Sequence, residues 1–247
     1  AGIGLGADGL TTNRGRSRAG RALVGHTAIA VRDEPSLNAL RALDVERVVR
    51  AADLAFLAEA PAVSGDGVLG VCLRAPQGSR LRPGALDVAR RWPDARADAM
   101  ATALDDAARS TGLTVRFLAF DAPSDGVIHR QVAKRMTTAA EVVEPDLDGV
   151  VAALARVDAM ATMRYHGAVL AALGGAGVVA IEFSPKLRSI AADLGPGATL
   201  LDDPGTGLPE AVAGVLEHRH HLADSVDRLR TLAGRNVEVL DGLLGAS

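Results

Sequence analysis

The chain has 247 residues, 48% of them hydrophobic and 23% charged, with a formal net charge of −3. This is a soluble globular balance, long enough for one large domain or two modest ones, and it offers no global positive field for nucleic acid. Aromatics at 2% leave no base-stacking platform, and the single cysteine, Cys72, excludes an intramolecular disulfide or a cysteine-built metal cage and suits a reducing, cytosolic setting.

The chain opens without Met on AGIGLGADG, which reads as a glycine-rich loop. Such loops normally turn the end of a strand, so we expect the chain to begin inside a domain whose first strands are missing. TTNRGRSRAGRALVGH then sets Arg14, Arg16, Arg18 and Arg21 in the first turns of a basic helix, as a solvated arginine face. TAIAVRD predicts a short buried strand ending in Arg32 and Asp33. Ser36 with the Leu37, Leu40, Leu43 spacing predicts a short helix. ERVVRAADLAFL, residues 46 to 57, reads as a strand and its exit, and APAVSGDG, residues 60 to 67, as a linker.

From Val68 the pattern becomes regular. VLGVCLR, TVRFLAF, AAEVVEP, DAMATM, GVVAIEF and ATLLDD predict strands, and the segments between them predict helices. The first of these helices, from residue 85 to 112, contains Pro93 and is expected to break or kink there. Asp146 is the expected N-cap of a helix whose apolar face runs Leu147, Val150, Val151, Leu154. Helices are expected to fill most of residues 208 to 244. Strands alternating with helices of about ten residues imply a doubly wound parallel sheet over residues 68 to 205. No apolar run approaches the length of a membrane span.

In such a sheet, ligands bind beyond the carboxyl ends of the strands. Arg74 ends the first strand of this region, Arg164 and His166 follow DAMATM, and Lys186 follows GVVAIEF behind Pro185, a residue suited to a helix's first turn. Taken singly, Arg74 suits a structural partner for a carboxylate, His166 a cap or a satisfied core histidine, and Lys186 a surface lysine. Taken together, cations at three strand ends on one sheet edge point to a bound anion, with phosphate and carboxylate the natural candidates. Cations beside helix N-termini oppose the helix dipole, and an anion between them relieves the conflict.

The stretch MRYHGAVLAAL…VVAIEFSPKLRSIAADLG resembles the signature of the polysaccharide pyruvyl transferase family, an Arg-x-His opening a helix and a later Pro-Lys opening another. GIGLG, residues 2 to 6, resembles the family's GIGPL turn with Gly6 in place of Pro. IAVRDEPS, residues 29 to 36, resembles its valine-arginine-aspartate segment. AADLAFL, residues 51 to 57, resembles its Asp-Pro-Ala-Phe motif with Leu54 for Pro, and VLGVCLR its Ser-Leu-Arg strand end with Cys72 for Ser.

The resemblance implies a GT-B-like α/β fold with an incomplete N-terminal lobe in residues 1–62. A doubly wound, Rossmann-like C-terminal lobe would follow in 68–220, then a C-terminal helix in 221–247, with the active site in the cleft between lobes. It implies transfer of a pyruvyl group from phosphoenolpyruvate to a sugar of a polysaccharide or its precursor, forming a cyclic ketal and releasing phosphate. On that reading Arg164 and Lys186 hold the donor's phosphate or carboxylate, with Arg74 as a third clamp, since arginine suits both groups through paired hydrogen bonds. Arg32 is either a further ligand or the partner of Asp33. His166 moves a proton, as acid or as base. Glu182 either orients Lys186 or binds sugar hydroxyls. No metal and no cofactor is expected, phosphoenolpyruvate being a substrate.

The expected partners are that donor and a saccharide acceptor, free or lipid-linked, with no nucleic acid and no integral membrane segment. The expected location is cytoplasmic, or peripheral to the inner face of the membrane. Two competing readings stand beside this one: a GT-B glycosyltransferase using a nucleotide sugar, and a non-catalytic remnant that binds sugar or anions. His218, His220 and His221 read as solvated side chains rather than a metal site. Asp202 and Asp203 read as a turn or as acceptor contacts.

Overall fold

A computed structural model describes residues 2–7, 10, 12–23, 25, 26, 28–59, 65–74, 91–203 and 205–244. The chain divides into two compact units, Ala1–Glu59 with Ala223–Ser247, and Ala60–Leu222.

The first unit runs β1 (Gly2–Leu5), α1 (Asn13–Leu23), β2 (Ile29–Val31), α2 (Glu34–Arg41), β3 (Val48–Arg50) and a 3-10 turn at Leu54–Leu57. Its three strands are parallel in the order β1-β2-β3. The glycine-rich opening, expected as a loop, is therefore a strand. Gly4 explains how: at φ +60° it makes an irregularity in the β1–β2 register that an L side chain resists. β2 is wholly buried, and Leu37 and Leu40 of α2 pack with Ile29, Val31, Val45 and Val48. Asp33 starts α2 by accepting the Ser36 N–H at 2.7 Å.

The second unit runs β4 (Val68–Cys72), α3 (Asp94–Thr111), β5 (Thr114–Leu118), α4 (Ala122–Ala133), β6 (Ala140–Val143), α5 (Leu147–Leu154), β7 (Ala159–Thr162), α6 (Tyr165–Leu173), β8 (Gly177–Ile181), α7 (Pro185–Leu194), β9 (Ala198–Leu201) and α8 (Leu208–His218). All six strands are parallel, in the order β6-β5-β4-β7-β8-β9. This doubly wound order reverses between β4 and β7, where such sheets open a crevice. The central strands β4, β7 and β8 are buried along their whole length, as their unbroken small and apolar sequences require. Leu69 and Val71 of β4, Ala159 and Ala161 of β7, and Val179 and Ile181 of β8 share one core with Met100 and Leu104 of α3 and Val212 and Val215 of α8.

Two details depart from the sequence reading. Pro93 stands immediately before α3 rather than kinking it, because a proline at a helix start loses no intrahelical bond; the segment 85–90 lies outside the described residues, as do 60–64 of the linker. Val151 is 44% exposed, so the apolar face of α5 rests on Val150 and Leu154. Asp146 does cap that helix, accepting the Gly149 N–H at 2.7 Å.

The terminal helix, α9 (Leu222–Leu244), belongs from Ala223 onward to the first unit. Asn236, fully buried, ties it there: its Oδ1 accepts the Gly4 N–H at 2.8 Å, and its Nδ2 donates to the carbonyls of Ala52 at 3.0 Å and Ala233 at 2.9 Å. Arg230 and Arg235 donate to the carbonyls of Phe56 and Arg50. Among the described residues no helix is long and apolar enough to cross a membrane.

Candidate functional site

The register of the second sheet sets the site. Cys72 pairs with Thr162, and Thr162 with Ala180, so β4, β7 and β8 reach one edge in step. Arg74, Arg164 and Glu182 each stand two residues beyond that rung. Five of the six sequence-predicted residues (Arg74, Arg164, His166, Glu182 and Lys186) thus come to one sheet edge. Arg32 lies in the first unit, at the end of β2, where its guanidinium meets Asp53 at 3.5 Å and Asp33 at 3.7 Å. Gly6 makes room for it, since a Cβ there would sit 2.6 Å from Arg32 Nη2.

Arg74 is fixed by its backbone. Its carbonyl accepts the Trp92 indole N–H at 3.0 Å, and its own N–H points at the Met163 sulfur at 3.4 Å. The guanidinium carbon lies 5.1 Å from the ring centroid of Phe183, between Glu182 and Ser184. An arginine from β4 therefore reaches the β8–α7 junction past the end of β7. Among the described residues it meets no carboxylate.

Arg164 differs. Its Nε and Nη2 grip the two oxygens of Asp125 at 2.9 and 2.6 Å, and Nη2 lies 3.4 Å from Asp121. Asp125 is fully buried and also accepts the Asp121 N–H at 3.0 Å. Burial disfavours the guanidinium charge, but the bidentate carboxylate outweighs it and raises the Arg164 pKa. The backbone is pinned as well: the Arg164 N–H donates to Thr162 Oγ1 at 2.9 Å, and that hydroxyl donates back to the Arg164 carbonyl at 3.1 Å. Arg164 is the N-cap residue of α6, so this clamp sets where Tyr165 and His166 begin the helix. Buried Tyr165 meets the exposed His166 edge-on, ring centroids 5.4 Å apart.

Helix starts supply the rest. α2 and α5 are capped by aspartates, whereas neither α6 nor α7 has a side-chain cap at this edge. At the start of α7, Pro185 has no N–H to offer and the Leu187 N–H donates to the Ser184 carbonyl at 3.0 Å. Ser184, at the N-cap of α7, has a buried hydroxyl with no hydrogen-bond partner among the described residues. Pro185 opens α7 and Lys186 follows in its first turn. Glu182 is held by Arg188, which also lies 3.5 Å from Asp202, so its carboxylate is tied across the junction. Asp203 accepts the Gly205 N–H at 3.0 Å, forming a turn.

Beneath the edge, beside Asp125, lie Cys72 and His129, both fully buried. Cys72 reaches Asp125 at 3.9 Å; burial first, then that carboxylate, pushes its thiol far above the ordinary range, so it is no nucleophile. His129 Nε2 accepts the Leu73 N–H at 2.9 Å, and burial, with Arg164 and Arg130 nearby, lowers its pKa to about 3. His218, His220 and His221 are exposed at the end of α8 and the turn after it. Sequence reasoning missed Asp125, Phe183 and Ser184. Only Ser184 carried a signal, as a serine before the Pro-Lys of a helix start.

Residues 2–185 match the family model for polysaccharide pyruvyl transferase. The chain belongs to that family. Comparison with curated proteins gives no match. Among solved structures, the UDP-GlcNAc 2-epimerase of Neisseria meningitidis bound to UDP-GlcNAc is similar with a TM-score of 0.61 at 11% identity, over 98% of this chain and 68% of that one. HepE of Anabaena in complex with UDP and glucose gives 0.56 at 14%, over 97% and 68%. TarM gives 0.55 at 11%, over 94% of this chain, which spans only 46% of TarM. At these identities the likeness shows the fold alone, which is GT-B-like. For this pyruvyl transferase family member, the Arg-x-His and Pro-Lys pairs fall at the starts of α6 and α7.

Proposed function

We propose that the protein is a sugar-modifying transferase that moves the pyruvyl group of phosphoenolpyruvate onto two hydroxyls of a saccharide, with release of phosphate. The observation that carries this is Arg74, whose guanidinium reaches over Phe183 to the start of α7 without a carboxylate partner among the described residues. The family match supplies the reaction class.

In this reading Arg74, Lys186 and the Ser184 hydroxyl bind the donor's phosphate and carboxylate. Arg164 is a positioning residue, since both oxygens of Asp125 already hold its Nε–Nη2 edge. His166 moves the protons. C3 of the enol takes one and becomes the ketal methyl; C2 gains two sugar oxygens and loses its bond to the phosphate oxygen. One hydroxyl proton balances the C3 proton and the other leaves with phosphate. An imidazole at the mouth of the site serves such transfers in either direction. Glu182, Arg188 and Asp202 form a polar rim suited to sugar hydroxyls. Arg32, paired with Asp33 and Asp53, is assigned a structural role in the first unit. The site takes no metal and no resident cofactor, and the protein works in the cytoplasm.

A second reading is glycosyl transfer from a nucleotide sugar, favoured by the fold neighbours solved with UDP or UDP-GlcNAc. The same cations would then hold a diphosphate. The test is acceptor-dependent phosphate release by the full-length protein supplied with phosphoenolpyruvate and candidate saccharides. The proposal requires turnover in wild type that falls about 100- to 10,000-fold in kcat on His166→Ala. Turnover only with a nucleotide sugar would replace it by the second reading.

A further inference from the structure

Helix α1 has a composition that its own unit does not explain. Arg14, Arg16, Arg18 and Arg21 lie within its sequence NRGRSRAGRAL, and from Leu10 to Arg32 there is no Asp or Glu at all, in a chain whose net charge is −3. None of the helix's residues is buried, and its first turn carries no acidic group. Among the described residues none of the four arginines pairs with a carboxylate; Arg16 donates to the Leu10 carbonyl at 3.1 Å and Arg21 to the Ser17 hydroxyl at 2.6 Å. Two cations in the first turn oppose the helix dipole, and Gly15 and Gly20 weaken the helix further. Self-stability therefore does not account for this sequence.

The geometry sorts the side chains. At about 100° per residue, Arg14, Arg18 and Arg21 fall within about 60° of one another, a stripe of exposed guanidinium groups along one side. The opposite side carries Gly20, 3.9 Å from the Leu43 side chain by its would-be Cβ, and Leu23, which packs against the core of the first unit. The helix is thus seated by its small and apolar side with its cationic stripe turned outward.

We propose that this stripe adsorbs the protein to an anionic lipid surface. Charge complementarity selects an anion, and an outward row on a single exposed helix suits a plane of headgroups better than a small ligand that needs enclosure. The outward side has no apolar residue to insert, so binding is electrostatic and interfacial. A nucleic acid is disfavoured, because no Phe, Trp or Tyr occurs before Phe56 to stack on bases. An acidic polysaccharide shares the charge but not the planarity, and the experiment separates it.

The measurement is co-sedimentation of the full chain with vesicles of equal parts phosphatidylglycerol and phosphatidylcholine, against phosphatidylcholine alone. With three arginines at about 1 kcal/mol each, the anionic vesicles should bind roughly a hundredfold more tightly, and salt near 1 M should abolish the difference. The triple variant Arg14→Gln, Arg18→Gln, Arg21→Gln should fall to the neutral-vesicle level with its melting temperature kept, since all three side chains are exposed. The double variant Arg91→Gln, Lys134→Gln, in a separate basic groove, should bind as wild type. Equal binding to both vesicle types, full binding by the triple variant, or capture by dextran sulfate without capture by vesicles would overturn the proposal.

Discussion

At the scale of single residues, two arginines at neighbouring strand ends have opposite fates. Arg74 lies over Phe183 and meets no carboxylate among the described residues, while both oxygens of Asp125 hold the Nε–Nη2 edge of Arg164. Substitutions should separate them. Arg74→Ala should raise the KM for phosphoenolpyruvate about 10- to 100-fold, the worth of a charge-assisted hydrogen bond, with little change in melting temperature. Asp125→Asn should instead cost about 3 kcal/mol of stability, read by urea denaturation, because it leaves a half-buried guanidinium without its counter-charge. Arg164→Lys should not rescue the fold, since an ammonium cannot meet both carboxylate oxygens. Equal loss of stability in Arg74→Ala and Asp125→Asn would contradict this division.

Elements explain which of these features could be read from the chain. The strand–helix alternation of the second unit was legible because β4, β7 and β8 are unbroken runs of small and apolar residues, and the carboxyl-edge rule placed Arg74, Arg164, His166 and Lys186 before any coordinates. The partner of Arg164 was not legible, since Asp125 lies 39 positions away on α4 and only the fold brings it under the β7 end. β1 reads as a loop in the sequence because its glycines look like turn residues; in the fold it is a strand in which Gly4, at φ +60°, donates its N–H to Asn236 of α9.

His129 gives α4 a pH signature. Its folded pKa lies near 3 against an ordinary 6.5, so the unfolded chain binds the extra proton throughout that interval. Stability is therefore full above about 6.5 and falls as pH drops, by up to about 1.4 kcal/mol per unit. Urea midpoints measured from pH 7 to 4 should show this slope, and His129→Gln should flatten it. Asp105 acts in a different window. Burial opposes its charge, but the hydroxyls and N–H groups of Thr137 and Thr138 outweigh that and hold its pKa at about 2. Its contribution is complete above the ordinary 3.8 and is lost only as pH falls through that value toward 2.

At the scale of the whole molecule, the chain leaves its first unit after Glu59 and returns to it at Ala223. The return is secured by polar bonds that apolar packing alone would not specify, with Asn236 bridging Gly4, Ala52 and its own helix. Asn236→Leu should destabilise the first unit by about 2–3 kcal/mol by stranding the Gly4 N–H and the Ala52 carbonyl. Hydrogen exchange should then show faster exchange in β1–β3 with β4–β9 unchanged.

The central claim is that an anion site at the β4, β7 and β8 ends takes phosphoenolpyruvate. Calorimetric titration of the full-length protein with phosphoenolpyruvate, beside the Arg74→Gln and Lys186→Gln variants, tests it most directly. Saturable binding in wild type, weakened at least tenfold in each variant, is the predicted result. No binding in wild type, or equal affinity in all three proteins, would contradict the account.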